Sequence, residues 1–378
     1  MRIVIDGRYI NDNFPGIGRY TYNLIRAWGA LNTGQELVVI VNRRLQNRRF
    51  DLKVLETTPN CYLVDCSVPR FLPAELLFLP PLIRSLRPTV YLSPFFLRPY
   101  YLPCPCVISI HDVISLHFQT EKHHFLSSTT FRIFARAACR FSAGIVTVSH
   151  SSEKAIRKWY PKLDKPIYVT PLAADPCFRQ LSSIPVDRMR HKYGLHHPYV
   201  LHVGSHLKHK NVSVLLFAWH RLTSSARLGR QSHQLVLAGG GNTRFPEIRH
   251  LVARLGIESS VRFLGDVEEC DLAALYNGAN LFVFPSTMEG FGLPVIEAMA
   301  CGTPVICSTT DALREVSGDA AWHFDPENVS GLTEGIDRFL GSRQLQKSFG
   351  RKGLARSSLF TWEATAKVTN SVCQKVIQ

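Results

Sequence analysis

The chain has 378 residues, 46% of them hydrophobic, with ordinary Gly and Pro contents; this allows two buried cores and excludes a disordered or fibrous polypeptide. Its formal net charge of +15 at pH 7 favours partners that carry phosphate, whether nucleic acid, anionic lipid headgroups or a diphosphate substrate. The ten Cys are scattered, and the one close pair, Cys104 and Cys106, lacks the spacing of a zinc site, so buried thiols of a reducing compartment are expected and no metal.

The N-terminus reads MRIVIDGRYI, and Ile3-Val4-Ile5 is too short an apolar run for a signal peptide. No segment approaches the roughly eighteen apolar residues of a membrane span, so a cytoplasmic protein is expected. Short runs dense in Val and Ile predict strands at Arg2–Asp6, Leu37–Val41, Cys61–Val64, Thr89–Leu92, Val107–Ile110, Ile145–Val148 and Ile167–Thr170. Helical stretches such as Tyr20–Leu31 and Phe125–Phe141 fall between them. Such alternation predicts a parallel sheet covered by helices. After a connecting segment from Pro171 to Pro185 the pattern starts again. Strands are expected at Tyr199–Val203, Gln234–Ala238, Val261–Leu264, Leu281–Phe284, Pro304–Cys307 and Ala321–Phe324, with helices at Asn211–Leu222, Asp271–Gly278 and Pro294–Ala300. The expected domains are therefore 1–178 and 179–360, both α/β. From Trp362 the residues Trp362, Ala366, Thr369, Cys373 and Val376 recur at steps of three and four. They form one face of a terminal helix over 361–378, which either packs on the second half or crosses back to the first.

In open parallel sheets ligands bind beyond the carboxyl ends of the strands. The richest such stretch runs from Asp271 to Cys307. Asp271 is placed to cap a helix ending near Gly278. A buried strand follows, then a loop from Pro285 to Gly292 holding Glu289, then a helix with Pro294 in its first turn and Gly302 as its stop. Glu289 and Glu297 flank that helix start with seven residues between them. The backbone of Gly290, Phe291, Gly292 and Leu293 offers amides there, which suit a diphosphate. A carboxylate accepts two hydrogen bonds from a sugar diol. The alternative is that Glu297 complements the helix dipole and Glu289 is a solvated loop residue.

Four other places attract attention. Gly16 and Gly18, in Pro15-Gly16-Ile17-Gly18-Arg19-Tyr20, allow close approach of the backbone to a ligand. His111 and Asp112 end a strand. Gly204, Lys208 and Lys210 lie in the loop running from Val203 to Asn211, which is either a diphosphate contact or a solvated basic turn. Gly239-Gly240-Gly241 and Leu264-Gly265-Asp266 follow two strands and are placed to wall in a nucleotide and its base. Ser149-His150-Ser151 reads as a structural turn before a helix.

The segment from Ser286 to Val305 resembles the signature of the family 4 retaining glycosyltransferases. The matching residues are Ser286, Glu289, Gly290, Phe291, Gly292, Leu293, Pro294, Glu297, Ala298, Met299, Ala300, Cys301, Gly302, Pro304 and Val305. The resemblance extends to the VSxxS turn at Ser149, the loop ending in Lys210-Asn211, and GIGRYTYNL near the start, which is similar to mannosyltransferase-like members. It implies the GT-B fold, two Rossmann-like domains facing across a cleft. It also implies a metal-independent, retaining hexosyltransferase without cofactor, whose donor substrate is a nucleotide-diphosphate sugar of the GDP-mannose type. In these terms Glu289 contacts the donor sugar, Glu297 the ribose, and Lys210, with Lys208, the diphosphate. Gly16, Gly18, Gly204, Gly265 and residues 290–293 border the donor, His111 meets its sugar, and Asp112 and Arg19 serve the acceptor or an orienting role, Asp112 towards either His111 or the acceptor. The expected acceptor is a glycan or polyprenyl-linked glycan of a surface polysaccharide.

Basic residues recur at Arg43-Arg44, Arg48-Arg49, Arg132, Arg136, Arg140 and Arg351-Lys352. No nucleic-acid module accompanies them, so nucleic acid is not expected, and an anionic membrane surface on the inner face is. Two alternatives are a GT-B sugar-nucleotide epimerase, which lacks the Glu-seven-Glu loop, and a basic membrane- or nucleic-acid-binding protein without transferase activity.

Overall fold

The computed structural model describes residues 1–70, 73–114, 128–225, 233–240 and 246–378. These form two compact units, one made of Met1–Leu172 with Thr361–Gln378, the other of Ala173–Phe360.

In the first unit seven strands form one parallel sheet: β1 (Arg2–Asp6), β2 (Glu36–Val41), β3 (Cys61–Asp65), β4 (Val90–Ser93), β5 (Cys106–Ile110), β6 (Gly144–Thr147) and β7 (Ile167–Val169). Their order across the sheet is β3-β2-β1-β4-β5-β6-β7. The second unit repeats the plan with β8 (Tyr199–Val203), β9 (Gln234–Ala238), β10 (Val261–Gly265), β11 (Leu281–Phe284), β12 (Val305–Ser308) and β13 (Ala321–Phe324) in the order β10-β9-β8-β11-β12-β13. Both are Rossmann-like, and the strand order reverses between β1 and β4 in one and between β8 and β11 in the other. The central strands β4, β5, β9 and β11 are buried throughout, as the continuous apolar runs require.

All thirteen expected strands are present, most of them shifted by no more than a residue or two. The expected helix from Phe125 is observed over Ser128–Phe141; 125–127 lie outside the described residues, as does Gly241. Two local expectations are corrected. Asp271 does not cap its helix. Glu269–Gly278 begins one turn earlier with Glu268 at the cap position, and the Asp271 carboxylate instead accepts from Lys192 Nζ at 2.6 Å and Tyr193 OH at 3.1 Å. The helix expected from Pro294 begins at Leu293, behind Gly292 at φ +101°, and Gly302 at φ +76° stops it.

The terminal helix Trp362–Lys375 belongs to the first unit. Its buried face is the expected one as far as Cys373, widened by Thr365, Asn370 and Val372, with Val376 half-buried at the cap position beyond its end. Trp362 lies beside Tyr20, ring centroids 6.4 Å apart, and Thr365 Oγ1 donates to the Pro171 carbonyl. A methyl on Gly144 would stand 3.2 Å from Val372, so the missing side chain lets the helix lie directly on β6. Replacing Trp362 by Ala should cost about 3 kcal/mol of unfolding free energy, as large-to-small core changes do. The exposed neighbour Glu363→Ala should stay within about 0.5 kcal/mol. Urea denaturation of the two variants tests the difference.

Candidate functional site

The second unit brings several expected residues together at its point of strand reversal. β8 leads into the Gly204–Asn211 loop, and its neighbour β11 leads into the Pro285–Gly292 loop. His209 and Thr287 join the two loops: the Thr287 amide donates to the His209 carbonyl at 2.8 Å. With the backbones thus clamped, Lys210 Nζ donates to Glu289 Oε1 at 2.6 Å. The two side chains are only 17% and 9% exposed, so the pair is partly screened from water and stronger than a surface ion pair. Lys210 Nζ also lies 5.2 Å from the centre of the Phe284 ring at the end of β11. Asn211 closes the loop in the left-handed region at φ 54° and donates to the Pro326 carbonyl at 2.8 Å. Lys208, in the same short turn, is exposed.

Three strand ends of this sheet carry glycine. Gly204, Gly239 and Gly265 follow or end β8, β9 and β10. The Gly204 amide donates to the Ala238 carbonyl at 2.9 Å, and the Gly239 amide donates to the Gly265 carbonyl at 2.6 Å. Gly239 has φ +93°, and a methyl there would stand 2.7 Å from the Gly204 carbonyl oxygen. No side chain fits between these ends, so they form a bare backbone wall, a surface on which a flat or charged ligand can approach the chain closely.

The helix Leu293–Ala300 opens beside Glu289 with no side-chain cap. Its positive end therefore keeps capacity for an anion. The Phe291 side chain is buried, edge-on to Phe360 with centroids 5.7 Å apart, so any ligand contact by Phe291 is through its backbone. Gly290 is buried as well, and Leu293 half-buried. Glu297 is 1% exposed and accepts from Tyr276 OH at 3.0 Å, so it is no solvated partner of the helix dipole. Tyr276 is a member of the site that sequence reading missed; nothing in a spacing of twenty-one residues marks the contact.

In the first unit His111 sits at the carboxyl end of β5. Its Nε2 donates to the Pro94 carbonyl at 2.8 Å, which leaves Nδ1 as an acceptor. The ring meets Tyr20 edge-on, centroids 4.7 Å apart. Burial pushes its pKa down to about 4, against a smaller opposing effect of the Pro94 carbonyl, so the imidazole is neutral at pH 7. Asp112 Oδ1 accepts from the Ile114 amide at 2.9 Å, a local turn. Arg19 is buried within the helix Pro15–Ala30. Gly16 has nothing within reach of an added methyl and is open to a ligand. Gly18 is not: a methyl there would stand 2.8 Å from both the Tyr9 carbonyl and the Phe50 ring. The close approach at Gly18 is to the chain's own core, which corrects the expectation of a ligand there. Ser149 is structural, its hydroxyl accepting from the Ser152 amide at 2.9 Å as a helix cap.

One group among the described residues has the proximity of metal ligands, Glu268, Cys270 and Asp271; its carboxylates are paired with Lys192 at 3.0 and 2.6 Å. Burial raises the Cys104 and Cys106 thiols to about 11 and about 12, which keeps them protonated and poor ligands.

His202 and His209 share the fate of His111. Burial lowers them to about 3 and about 4 from the ordinary 6.5, and His202 Nδ1 donates to the Val283 carbonyl at 3.1 Å. Because these groups bind protons more tightly when unfolded, their stabilising contribution is full above pH 6.5 and falls as the pH drops from 6.5 towards about 4. Urea midpoints measured across that window should fall with acidity, and His202→Gln should flatten the slope.

Two family models match the chain, that of glycosyltransferase family 4 over residues 15–177 and that of glycosyl transferases group 1 over residues 186–356. The chain is 32% identical to the O-antigen chain mannosyltransferase B of Escherichia coli over 283 residues, 74% of this chain and 73% of that protein. Among solved structures it is similar to sucrose-phosphate synthase of Thermosynechococcus elongatus, with TM-score 0.79, 20% identity, and 99% and 98% of the two chains covered. It is also similar to HepE of Anabaena in complex with UDP and glucose, with TM-score 0.74, 17% identity, and 99% and 100% covered.

Proposed function

We propose a specific reaction for this chain, which belongs to the family 4 glycosyltransferases and has the GT-B fold: metal-independent, retaining transfer of mannose from GDP-mannose to a glycan or polyprenyl-linked acceptor in surface polysaccharide biosynthesis. The observation that carries the reading is the contact of Lys210 with Glu289 beside an uncapped helix start. Mannose is supported by the name and 32% identity of the Escherichia coli relative and by the resemblance of GIGRYTYNL.

In this reading the donor diphosphate sits at the start of Leu293–Ala300 and draws Lys210 away from Glu289. A diphosphate carries more negative charge than one carboxylate, so the exchange is favourable once the site excludes water. Glu289, released, accepts hydrogen bonds from the sugar hydroxyls. Glu297, with Tyr276 on one oxygen, accepts from the ribose diol. The Gly204, Gly239 and Gly265 backbone walls in the nucleoside. Lys208 adds charge from the exposed side of its turn. In the first unit the family resemblance assigns His111, neutral and with Nδ1 as an acceptor, to a sugar, and Arg19 and Asp112 to the acceptor or to orientation.

Transfer then breaks the bond from the anomeric carbon to the diphosphate oxygen. The acceptor oxygen forms its bond on the same face, and its proton passes to the departing diphosphate. Retention by double displacement requires a carboxylate poised on the anomeric carbon. Glu289 is assigned to the hydroxyls instead, so front-side attack is preferred. Lys210 and the helix amides act by stabilising charge on the leaving group.

The acceptor's setting follows from charge. The formal charge of +15 supports the reading of a peripheral protein working on an acceptor at an anionic membrane face; no described helix is long and apolar enough to cross a membrane. Assays with GDP-mannose and UDP-glucose test the donor. Transfer should be seen with the first. Lys210→Ala and Glu289→Gln should each lower kcat by about a hundredfold to a thousandfold, the scale of a lost charge-stabilising donor. Parental rates in both variants, or use of UDP-glucose alone, contradict the assignment.

A further inference from the structure

The helices Pro73–Ser85, Ser128–Phe141 and His150–Trp159 cover one face of the first sheet. Their inward residues, among them Leu79, Ile83, Ala138 and Ile156, share one core with strands β1, β2, β4, β5 and β6. Their outward residues are unusual for a solvated face. Ile133 and Phe141 are 62% and 63% exposed, and Leu77 and Phe78 on the neighbouring helix are as open.

Between the helix Ser128–Phe141 and the segment from Trp159 to Lys165 lies an open cavity of about 650 Å³. Arg136, Arg140, Lys162 and Lys165 line it together with Trp159 and Phe141, against one acid, the exposed Asp164. Lys165 is fixed in its wall: Nζ donates to the Arg140 carbonyl at 2.6 Å and to the Ser142 carbonyl, leaving its third N–H for a ligand. Arg132 lies over Trp159 at 5.0 Å, which holds this lining indole in place. No carboxylate among the described residues pairs with Arg136 or Arg140.

From this placement we infer that the cavity takes the phosphate headgroup of an anionic glycerophospholipid, with Ile133 and Phe141 entering the acyl boundary beside it. Four cations around one hollow match a phosphate. A soluble phosphate ester explains the cations but gives the exposed Ile133 and Phe141 nothing to cover them, whereas a bilayer covers both. The inference deepens the proposed membrane partner by assigning it a site, and its readout does not depend on transfer.

The test is sedimentation of the full chain with vesicles of phosphatidylcholine alone or mixed with phosphatidylglycerol. The chain should bind the mixed vesicles far more tightly. The double variant Arg136→Gln with Arg140→Gln should lose about thirtyfold in affinity, from two charges at an anionic surface. Ile133→Ser with Phe141→Ser should lose about tenfold, and unchanged melting of both variants verifies that they fold. Equal binding to both vesicle types, or parental binding by the arginine variant, overturns the inference. So does competition by inorganic phosphate at matched ionic strength with no effect of the serine variant, which makes the cavity a soluble-anion site. A chain that binds vesicles in this way but transfers no sugar sinks the transferase reading and leaves this one standing.

Discussion

Lys210 and Glu289 meet because two loops leave neighbouring parallel strands at the same end of one sheet. That placement is a property of the strand order: β8 and β11 are adjacent only because the chain reverses direction of winding between them. The clamp of Thr287 on the His209 carbonyl then sets the distance between loops separated by about eighty residues of sequence. The resulting contact neutralises the Lys210 cation, and in the proposed reading a donor diphosphate takes the place of the Glu289 carboxylate. A carboxylate and a lysine held at 2.6 Å, each mostly shielded, balance one another's charge where either alone would be costly to bury.

The rest of the second unit supports that contact. The strand ends present bare backbone, and they are glycine for reasons of backbone: φ +93° at Gly239 and φ +66° at Gly265 are left-handed. The uncapped helix adds a positive end next to Glu289. Glu297, buried and held by Tyr276, is fixed in orientation before any ligand arrives, and pre-organisation of this kind lowers the entropy lost on binding. The neutral, buried imidazoles of His202 and His209 pack around the Lys210 loop without adding to its charge.

Much of this was legible in the sequence because the signals were local. Val- and Ile-dense runs gave the strands, and Glu289, the glycines after it, Pro294 and Gly302 gave the loop and the short helix. What escaped was set by tertiary contact. Gly18 looked like a ligand glycine, yet the Tyr9 carbonyl and Phe50, thirty-two residues on, fill the space. Asp271 looked like a cap, yet Lys192 and Tyr193 draw its carboxylate outward. The terminal helix showed its apolar face plainly, but it is tertiary packing, of Trp362 beside Tyr20 and of Val372 on Gly144, that says where that face goes.

The most direct test of this account is a crystal structure of the chain with bound GDP-mannose or a non-transferable analogue. The account predicts diphosphate oxygens within hydrogen-bonding distance of Lys210 Nζ and of the amides at the start of Leu293–Ala300. It further predicts Glu289 on sugar hydroxyls and Glu297 on the ribose diol. A donor bound with the Lys210–Glu289 pair intact and its diphosphate away from that helix would contradict it.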